Sequence, residues 1–423
     1  MRLMRNISIT MATSFLSTGA AAVAALVVAN ALGAKGAGTF AIVRVMPTVV
    51  TALLGAGITL ANAYLVGCRK YSVQAITETS AWLGVVIGLA GWGGWVLCGG
   101  LVQAHFLTML SREAVLVVGL SIPLQIVRNY LNSVQQGLQT FTEANVVLFI
   151  EDLAAMLFVL PLMWRVEAGP EIIVLASVGG SGLSCIAAVL CLVRAGFWPW
   201  PRLHRAIAAE AIVFGIKGHI GRIANMLNWR LDMMILSTLA SVEVVGYYAV
   251  ATKVAEAFRP LSASLTFVLR PLIASLPMSE ARARGVLLYQ RAFAINIGLV
   301  LVMAVVGGPL IIHLFGPEFA PAVPAFQILL VGLAAHGADG VLNGYNVGIG
   351  RPEFNTYTAL VGLVITVVGD VTLIPVYSLI GAAVTSSVAY SLKTAALTGL
   401  FLVTSGVTLP QLVGLKEYSP DLA

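Results

Sequence analysis

The sequence predicts an all-α polytopic membrane protein with about twelve transmembrane helices in two six-helix lobes and with both termini in the cytoplasm. Three observations predict it: an apolar composition, apolar runs long enough to cross a bilayer, and a one-sided distribution of arginine and lysine. Of the 423 residues, 59% are hydrophobic and 10% are charged, and the mean hydropathy is +0.95. Soluble domains carry roughly 25% charged residues.

Apolar runs of about 20 residues, the length that crosses a bilayer, recur along the whole chain. Predicted spans cover residues 7–32, 38–66, 76–100, 114–137, 144–164, 172–194, 211–239, 245–275, 287–313, 322–349, 354–374 and 378–404. These runs are continuous, whereas a membrane β-barrel has short alternating segments. The first run follows two arginines, as a signal peptide would, but it is too long for the apolar core of one. It is therefore interpreted as an uncleaved span.

The distribution of basic residues orients the spans, because cytoplasmic loops are enriched in arginine and lysine. With the N-terminus inside, the cytoplasmic loops hold Arg2, Arg5, Arg69, Lys70, Arg194, Arg202, Arg205, Arg282, Arg284, Arg351 and Lys416. The loops on the other side hold Lys35, Arg112 and Arg165. This bias fits an even number of spans with both ends in the cytoplasm.

The loop at 195–210, AGFWPWPRLHRAIAAE, lies near the middle of the chain and suggests two halves. The predicted domains are an N-terminal lobe at 1–200, a cytoplasmic linker at 201–210, a C-terminal lobe at 211–405 and a cytoplasmic tail at 406–423.

Two pairs of motifs repeat at a nearly constant separation of about 208–210 residues: GTFAIVR (38–44) with GYYAVAT (246–252), and GLQTFTEAN (137–145) with VGIGRPEFN (347–355). A repeat of six spans preserves orientation. It predicts two lobes related by an axis along the membrane normal, with the substrate between them.

Polar side chains share one helix face in four of the predicted spans. The stripes are Gly218, Arg222, Asn225, Trp229 and Asp232 in the seventh span, Lys253, Glu256, Pro260 and Ser264 in the eighth, His336, Asp339, Asn343 and Asn346 in the tenth, and Arg128, Asn132, Gln135 and Gln139 in the fourth. Arg44, Glu151, Asp152, Asp370 and Lys393 add charge in other spans. A charge at the bilayer centre is costly and usually faces a cavity, so the stripes predict a shared aqueous interior. Ion pairs are the alternative, for example between Lys253 and Glu256 or between Arg230 and Asp232.

The arginines indicate an anionic substrate, because a guanidinium binds phosphate or carboxylate through two parallel hydrogen bonds. Arg44, Arg128 and Arg222 have no acid one turn away on their own helices, so we expect them to be free to bind an anion. Asn225, Lys253 and Asn343 are expected to line the same cavity. The acids Asp152, Asp232, Glu256, Asp339 and Asp370 either balance these charges or carry a coupling proton or Na⁺.

No cofactor or metal is expected. The chain has no G-x-x-x-x-G-K-[ST] motif for ATP, and its four cysteines and five histidines show no metal-ligand spacing.

Three segments, at 32–66, 231–276 and 314–392, resemble the polysaccharide (O-antigen/exopolysaccharide type) flippase family of the MOP (multidrug/oligosaccharidyl-lipid/polysaccharide) exporter superfamily. The most specific motifs are LFGPEFAPAVP, GRPEFN and IPVYSLIGAAVTSS in the C-terminal half. Asp232 matches the aspartate of the family's D-x-x-[IL]-L pattern. The same superfamily contains the MATE multidrug exporters and the lipid II flippases.

The resemblance implies MATE-like lobes, a central cavity open to alternate sides, and movement of polyprenyl-pyrophosphate-linked oligosaccharide across the bacterial inner membrane for surface polysaccharide biosynthesis. Membrane lipids and the polysaccharide polymerase and export machinery are the further partners it implies, and no nucleic acid is expected. A MATE-like ion-coupled drug exporter is the alternative, although the arginines disfavour organic cations. A membrane-bound polymerase, ligase or glycosyltransferase would need a larger extramembrane loop, so the chain is not expected to be an enzyme.

Overall fold

The protein is α-helical, as predicted. A computed structural model describes residues 2–164, 171–258, 273 and 276–416, and no β-strand occurs among them. The α-helices are α1 Arg2–Leu54, α2 Ile58–Cys68, α3 Val73–His105, α4 Arg112–Gly119, α5 Ser121–Gly137, α6 Phe141–Val159, α7 Glu171–Arg194, α8 Arg205–Leu227, α9 Leu231–Leu239, α10 Val242–Ala255, α11 Met278–Phe315, α12 Ala322–His336, α13 Asp339–Gly348, α14 Glu353–Ser405 and α15 Leu409–Leu412. Short 3₁₀ helices lie at Leu160–Trp164, Glu256–Phe258 and Pro317–Phe319. In the described part of the chain, 8 helices are long and apolar enough to cross a membrane. The protein is therefore a multi-pass membrane protein.

Helix α14 contains two predicted spans, and α1 contains the first predicted span and the first part of the second. Each has 53 residues, which corresponds to about 80 Å of helix, more than twice the bilayer core of about 30 Å. The helical backbone is interrupted at Gly33 (φ 65°) in α1 and at Ser378 (φ 48°) in α14. Both interruptions fall at predicted span boundaries.

Four spans predicted as single helices are each divided between two helices. The fourth divides between α4 and α5 at Leu120, whose backbone stays helical, and the other three are broken. The second breaks between α1 and α2, the seventh between α8 and α9, and the tenth between α12 and α13. At the first break Gly57 has a φ of 68°, and a Cβ there would lie 2.0 Å from the Gly215 carbonyl oxygen, so only glycine fits. Backbone carbonyls exposed by a break inside a membrane need other partners.

Side chains of other helices supply those partners. The Tyr130 hydroxyl donates to the Gly55 carbonyl at 3.1 Å, and His219 Nε2 lies 3.0 Å from the Leu53 carbonyl oxygen. Asn296 Nδ2 donates to the carbonyls of Leu333 and Ala334, both at 3.0 Å, beside the third break. The broken helices are thus stable features of the fold.

The chain forms two compact units. The first comprises Met1–Met226 with Ser241–Gly246, and the second comprises Leu227–Ala240 with Tyr247–Ala423. In the first unit, a Cβ on Gly88 would lie 2.7 Å from the Cα of Pro123; in the second, a Cβ on Gly332 would lie 2.5 Å from the Cα of Ser387. Small residues let membrane helices approach closely. The lobe boundaries at 201–210 stay a prediction, since compactness alone does not define a lobe.

The first repeated motif pair forms a reciprocal contact within the first unit. A Cβ on Gly38 would lie 2.1 Å from the Val242 carbonyl oxygen, and a Cβ on Gly246 would lie 2.0 Å from the Ala34 carbonyl oxygen. Gly246 lies 208 residues after Gly38, and Val242 lies 208 residues after Ala34. The two contacts therefore join the same pair of positions, with the two motif copies interchanged. Lys35 and Glu243, also 208 residues apart, form an ion pair with Nζ and Oε1 at 3.1 Å.

The second motif pair occupies matching turns. GLQTFTEAN covers the turn between α5 and α6, where Gln139 has a φ of 61°, and VGIGRPEFN covers the turn between α13 and α14, where Gly350 has a φ of 77°. Each turn thus contains one left-handed residue and leads into a helix that carries the motif's glutamate and asparagine.

Candidate functional site

Four charged side chains form two ion pairs inside the first unit. Tandem acids on α6 supply both carboxylates: Asp152 Oδ1 lies 2.6 Å from Arg44 Nη2 of α1, and Glu151 Oε2 contacts Arg128 Nη1 of α5. Only 8% of the Arg128 side chain is exposed. The expectation that Arg44 and Arg128 are free cations is therefore wrong. Their partners come from another helix, whereas helix phase reveals only same-helix neighbours.

Polar residues of α5 and α7 surround the second ion pair. Ser181 donates to Glu151 Oε1 at 3.2 Å, and Gln125 Nε2 donates to the Ser181 hydroxyl at 3.3 Å. The Nε of Arg128 is buried without a hydrogen-bond acceptor among the described residues. A buried donor left unsatisfied is unfavourable, so the environment of Arg128 does not satisfy all of its N–H groups.

Arg222 on α8 differs from the other two arginines. It is exposed, and none of the described acidic residues pairs with it. Its Nη1 donates to the hydroxyl of Thr59 in the first turn of α2, directly after the break at Gly57. Interrupted membrane helices are typical of ligand sites in transporters. Arg222 thus presents a cation beside such an interruption.

The predicted stripe of the seventh span is not one continuous face. Helix α8 ends at Leu227 and α9 begins at Leu231, and the break falls between Arg222 and Asp232. Arg222 and Asn225, whose amide donates to the Gly221 carbonyl at 3.0 Å, belong to the first unit. Trp229 and Asp232 belong to the second.

Two buried carboxyl groups lie near each other in the second unit. Asp232, at the start of α9, accepts hydrogen bonds from the Tyr248 hydroxyl, from Ser386 Oγ at 2.9 Å and from the Met233 backbone N–H at 2.7 Å. Arg230, the alternative partner from the sequence, is not ion-paired with it. Asp370 on α14 is close enough to Asp232 for electrostatic repulsion.

Asp370 is the more unusual of the two acids. It is 0% exposed, and neither of its carboxyl oxygens receives a hydrogen bond from a described residue. The buried hydroxyl of Thr385 is the hydrogen-bonding group beside it, but the two side chains do not meet in ordinary hydrogen-bond geometry. An ionised carboxylate in such a place is strongly unfavourable unless a proton or a cation neutralises it.

Asp339, the first residue of α13, has partners of two kinds. His336 Nδ1 lies 2.8 Å from its Oδ2, Lys393 Nζ lies 3.9 Å from the same oxygen, and Thr394 donates to Oδ1 at 2.7 Å. The rings of His336, Trp229 and Tyr390 form a cluster in which the His336 centroid lies 5.2 Å from Trp229 and 5.5 Å from Tyr390, and Trp229 lies 4.8 Å from Tyr390. The predicted tenth-span stripe is thus interrupted after His336, but its first two members are in contact.

The remaining predicted site residues are less informative. Lys253 and Glu256 each have interaction partners in the described structure. Pro260 and Ser264, predicted on the same face, lie outside the described residues. The Asn343 carbonyl accepts a hydrogen bond from Asn355 Nδ2 at 3.1 Å, and Asn355 Oδ1 accepts one from Asn346 at 2.9 Å. The assignment of all these residues to a substrate cavity stays a prediction.

Sequence reasoning missed several members of these clusters. Thr59 lies in no distinctive motif. Tyr248 lies in GYYAVAT, and Thr385 and Ser386 lie in IPVYSLIGAAVTSS, but these motifs do not indicate a contact with Asp232 or Asp370, which only the folded chain reveals. Glu151 did have a signal, because two adjacent acids inside an apolar run require cationic partners nearby.

The fold, with its many apolar helices and its charged interior, is that of a multi-pass membrane protein. The chain belongs to the polysaccharide biosynthesis protein family, whose model matches residues 3–276. It is also 26% identical over 223 residues to an uncharacterized membrane protein of Methanocaldococcus jannaschii, a match that spans 48% of this chain and 44% of that protein.

Solved structures of flippases and transporters share the fold. The lipid II flippase MurJ, in an inward closed conformation, has a TM-score of 0.78 at 14% identity, with 96% of this chain and 89% of that chain covered. An inward-facing MATE multidrug transporter has a TM-score of 0.69 at 14% identity, covering 95% and 97%. A MOP transporter from Pyrococcus furiosus, described as having a binding pocket of reverse polarity, has a TM-score of 0.62 at 13% identity, covering 95% and 98%.

Proposed function

We propose that this protein is a flippase that moves a polyprenyl-pyrophosphate-linked oligosaccharide across the bacterial inner membrane for surface polysaccharide biosynthesis. It would work by alternating access and would carry out no covalent chemistry. The family supports a role in polysaccharide biosynthesis. The polysaccharide polymerase and export machinery would then be its functional partners.

The observation that carries this proposal is the exposed guanidinium of Arg222. It has no acidic partner in the described structure, and only its bond to Thr59 occupies it. A guanidinium has five N–H donors in a planar fork, which matches the oxygen geometry of phosphate. A pyrophosphate therefore has a suitable partner here, whereas an organic cation would be repelled.

Asp232 and Asp370 of the second unit would bind the coupling ion. Two neighbouring buried carboxyl groups do not both stay ionised without compensation. A proton on one of them, or a monovalent cation held between carboxyl and hydroxyl oxygens, resolves the repulsion. Binding of that ion would stabilise one conformation of the transporter over another.

The decisive experiment deletes the gene from its host and identifies the polyprenyl-linked intermediates by mass spectrometry. We expect a lipid-linked oligosaccharide to accumulate on the cytoplasmic face of the membrane. Wild-type protein and the Arg112→Ala control should clear it, and Arg222→Ala should not. Clearance by an equally expressed Arg222→Ala variant would contradict the role of Arg222. An unchanged pool of intermediates would contradict the flippase function itself.

The alternative is an ion-coupled multidrug exporter of the MATE type. The specific observation in its favour is the second unit's carboxyl groups, which lie among aromatic residues such as Trp229 and Tyr390, since both groups bind organic cations. The same deletion strain separates the two functions. An exporter predicts greater sensitivity to cationic drugs and an unchanged pool of lipid-linked intermediates.

A further inference from the structure

The segment at 195–204 joins α7 to α8 and overlaps the cytoplasmic linker predicted at 201–210. Below, the linker means residues 195–204. It lies against the first two turns of α3. The Gln74 side chain makes two hydrogen bonds to the backbone of Trp198. The Trp198 N–H donates to Gln74 Oε1 at 3.0 Å, and Gln74 Nε2 donates to the Trp198 carbonyl at 2.8 Å. Farther along, His204 Nε2 lies 2.7 Å from Glu78 Oε2. The linker backbone is thus fixed by side chains of one neighbouring helix.

This fixed backbone leaves two tryptophans exposed. Trp198 is 65% exposed and Trp200 is 76% exposed. The Trp200 N–H donates to the Trp198 carbonyl at 2.9 Å, a γ-turn centred on Pro199, whose ring fixes φ near the value this turn requires. By contrast, Trp95 is 4% exposed and donates its indole N–H to the Val115 carbonyl at 2.8 Å. The linker therefore holds two large apolar rings outward.

Three exposed arginines, Arg194, Arg202 and Arg205, accompany these rings. No ion pair to any of them occurs within the described residues. The nearby acids are occupied: Glu78 by His204 and Gln74, and Glu210 by Lys70 at 2.7 Å and by the Tyr71 hydroxyl at 2.8 Å. The surface is therefore aromatic and cationic.

The linker also follows directly on an apolar span, which limits its distance from the membrane interface. Helix α7 is an apolar span that ends at Arg194, four residues before Trp198. Four residues extend at most about 14 Å, and the headgroup layer on each side of the hydrocarbon core is about 5–8 Å thick. Tryptophan is enriched in that layer, and clustered arginine attracts anionic lipids there.

We propose that the linker is a binding surface for anionic phospholipid headgroups, in the leaflet that the loop charges predict to be cytoplasmic. The indoles enter the interface, and the three guanidinium groups contact phosphate. The proposal is independent of the transported substrate. An acidic protein partner is the competing occupant, and the experiment below distinguishes it from lipid.

The test is tryptophan fluorescence of the full-length protein in detergent micelles titrated with phospholipid brominated near the headgroup end of its acyl chains. Phosphatidylglycerol is compared with phosphatidylcholine. The chain has 7 tryptophans, so the linker's share is the difference between wild type and Trp198→Phe/Trp200→Phe. We expect that share to be quenched at lower concentrations of phosphatidylglycerol. Replacement of Arg194, Arg202 and Arg205 by Gln should reduce this preference about fivefold for each arginine at low salt.

Three results would overturn the proposal. Equal quenching of wild type and the double phenylalanine variant would mean that the indoles do not meet lipid, which leaves a protein partner. Equal half-maximal concentrations of the two lipids would remove the preference for anionic headgroups. If the control Arg112→Gln reduced the preference for phosphatidylglycerol as much as one linker arginine substitution does, net charge and not the linker would determine that preference. None of these readouts depends on transport.

Discussion

Arg128 and Glu151 form an ion pair between α5 and α6, with side-chain exposures of 8% and 20%. This pair lies beside a second one, Arg44 with Asp152. Removal of one partner from a buried pair leaves the other charge uncompensated, which costs about 3–5 kcal/mol. These three arginines therefore divide into two kinds: Arg44 and Arg128 are ion-paired, and Arg222 is not paired with any described acid.

This division predicts opposite phenotypes for two arginine variants. Arg128→Met should lower the free energy of unfolding by about 3 kcal/mol, because Glu151 loses its countercharge. Arg222→Met should leave stability nearly unchanged and abolish transport, because this side chain is exposed and unpaired with any described acid. Thermal unfolding in detergent and transport in proteoliposomes measure the two effects. An unstable Arg222→Met protein, or a fully stable Arg128→Met protein, would contradict the division.

Asp370 should govern the response of stability to cations. If a monovalent cation neutralises the buried carboxyl groups, Na⁺ should raise the unfolding temperature of the wild type relative to choline at equal ionic strength. Asp370→Asn should be more stable than wild type in choline, because it removes an uncompensated carboxylate, and should not respond to Na⁺. The control is Glu353→Gln at the surface. A Na⁺ response that persists in Asp370→Asn would place the cation elsewhere.

Asp232 and Glu353 provide a matched comparison of two acids. Asp232 is 3% exposed and accepts three hydrogen bonds, whereas the Glu353 side chain is 39% exposed and lies 3.6 Å from Arg351. Asp232→Asn should reduce transport at least tenfold, and Glu353→Gln should have little effect, since surface ion pairs contribute little. Transport assays at matched protein levels measure both. Equal tolerance of the two substitutions would argue against a role for Asp232.

The sequence predicts the fold well because each span is a long apolar run, and a membrane permits few other structures for such a run. The breaks at 55–57 and 228–230 could not be predicted in this way. Gly57 is required by the Gly215 backbone, which is far away in the chain. Likewise, the absence of an acid one turn away on its own helix predicted Arg44 in the cavity but could not identify Asp152 as its partner, because that contact depends on helix packing.

The contact between Gly38 and Val242 should be sensitive to a single methyl group. Gly38→Ala places a Cβ 2.1 Å from a backbone carbonyl oxygen, so the helices must separate, at a cost of about 1–3 kcal/mol. Gly19→Ala on the same helix is the control, since nothing lies within 4 Å of its Cβ position, and alanine favours helix there. Thermal unfolding should show a lower transition for Gly38→Ala only; an unaffected transition would mean that the contact readily relaxes.

The Lys35–Glu243 ion pair offers a test of alternating access. At 3.1 Å, the two side chains should form an amide when treated with a carbodiimide, and the linked peptides can be identified by mass spectrometry. If this contact opens during each cycle, the amide should stop transport. Lys35→Gln, which cannot be linked, should keep transporting after the same treatment. Normal transport by the cross-linked protein would show that the contact stays closed.

The pH for the carbodiimide cross-linking reaction follows from the pKa of the Glu243 carboxyl group. Its own backbone N–H, followed by the Lys35 ammonium, holds the pKa of Glu243 below its ordinary value. A lowered carboxyl pKa means that the contact is fully present above the ordinary value of about 4.3 and is lost as the pH falls through the lowered one. At pH 6 the Glu243 carboxylate is therefore ionised and the ion pair is intact, so the cross-linking reaction can be carried out at that pH.

The reciprocal contact around Gly38 and Gly246 has a consequence for ancestry. Gly38 contacts Val242, which is the equivalent of Ala34, and Gly246, the equivalent of Gly38, contacts Ala34. Such a reciprocal contact has the pattern of a two-fold symmetric dimer. Two identical half-length chains, inserted in the same orientation, would make this contact with each other before any gene fusion. The ion pair of Lys35 with Glu243 is different, because identical chains would bring two like charges to these equivalent positions. This ion pair therefore requires the two equivalent positions to differ in sequence, which only a single chain carrying both copies can provide.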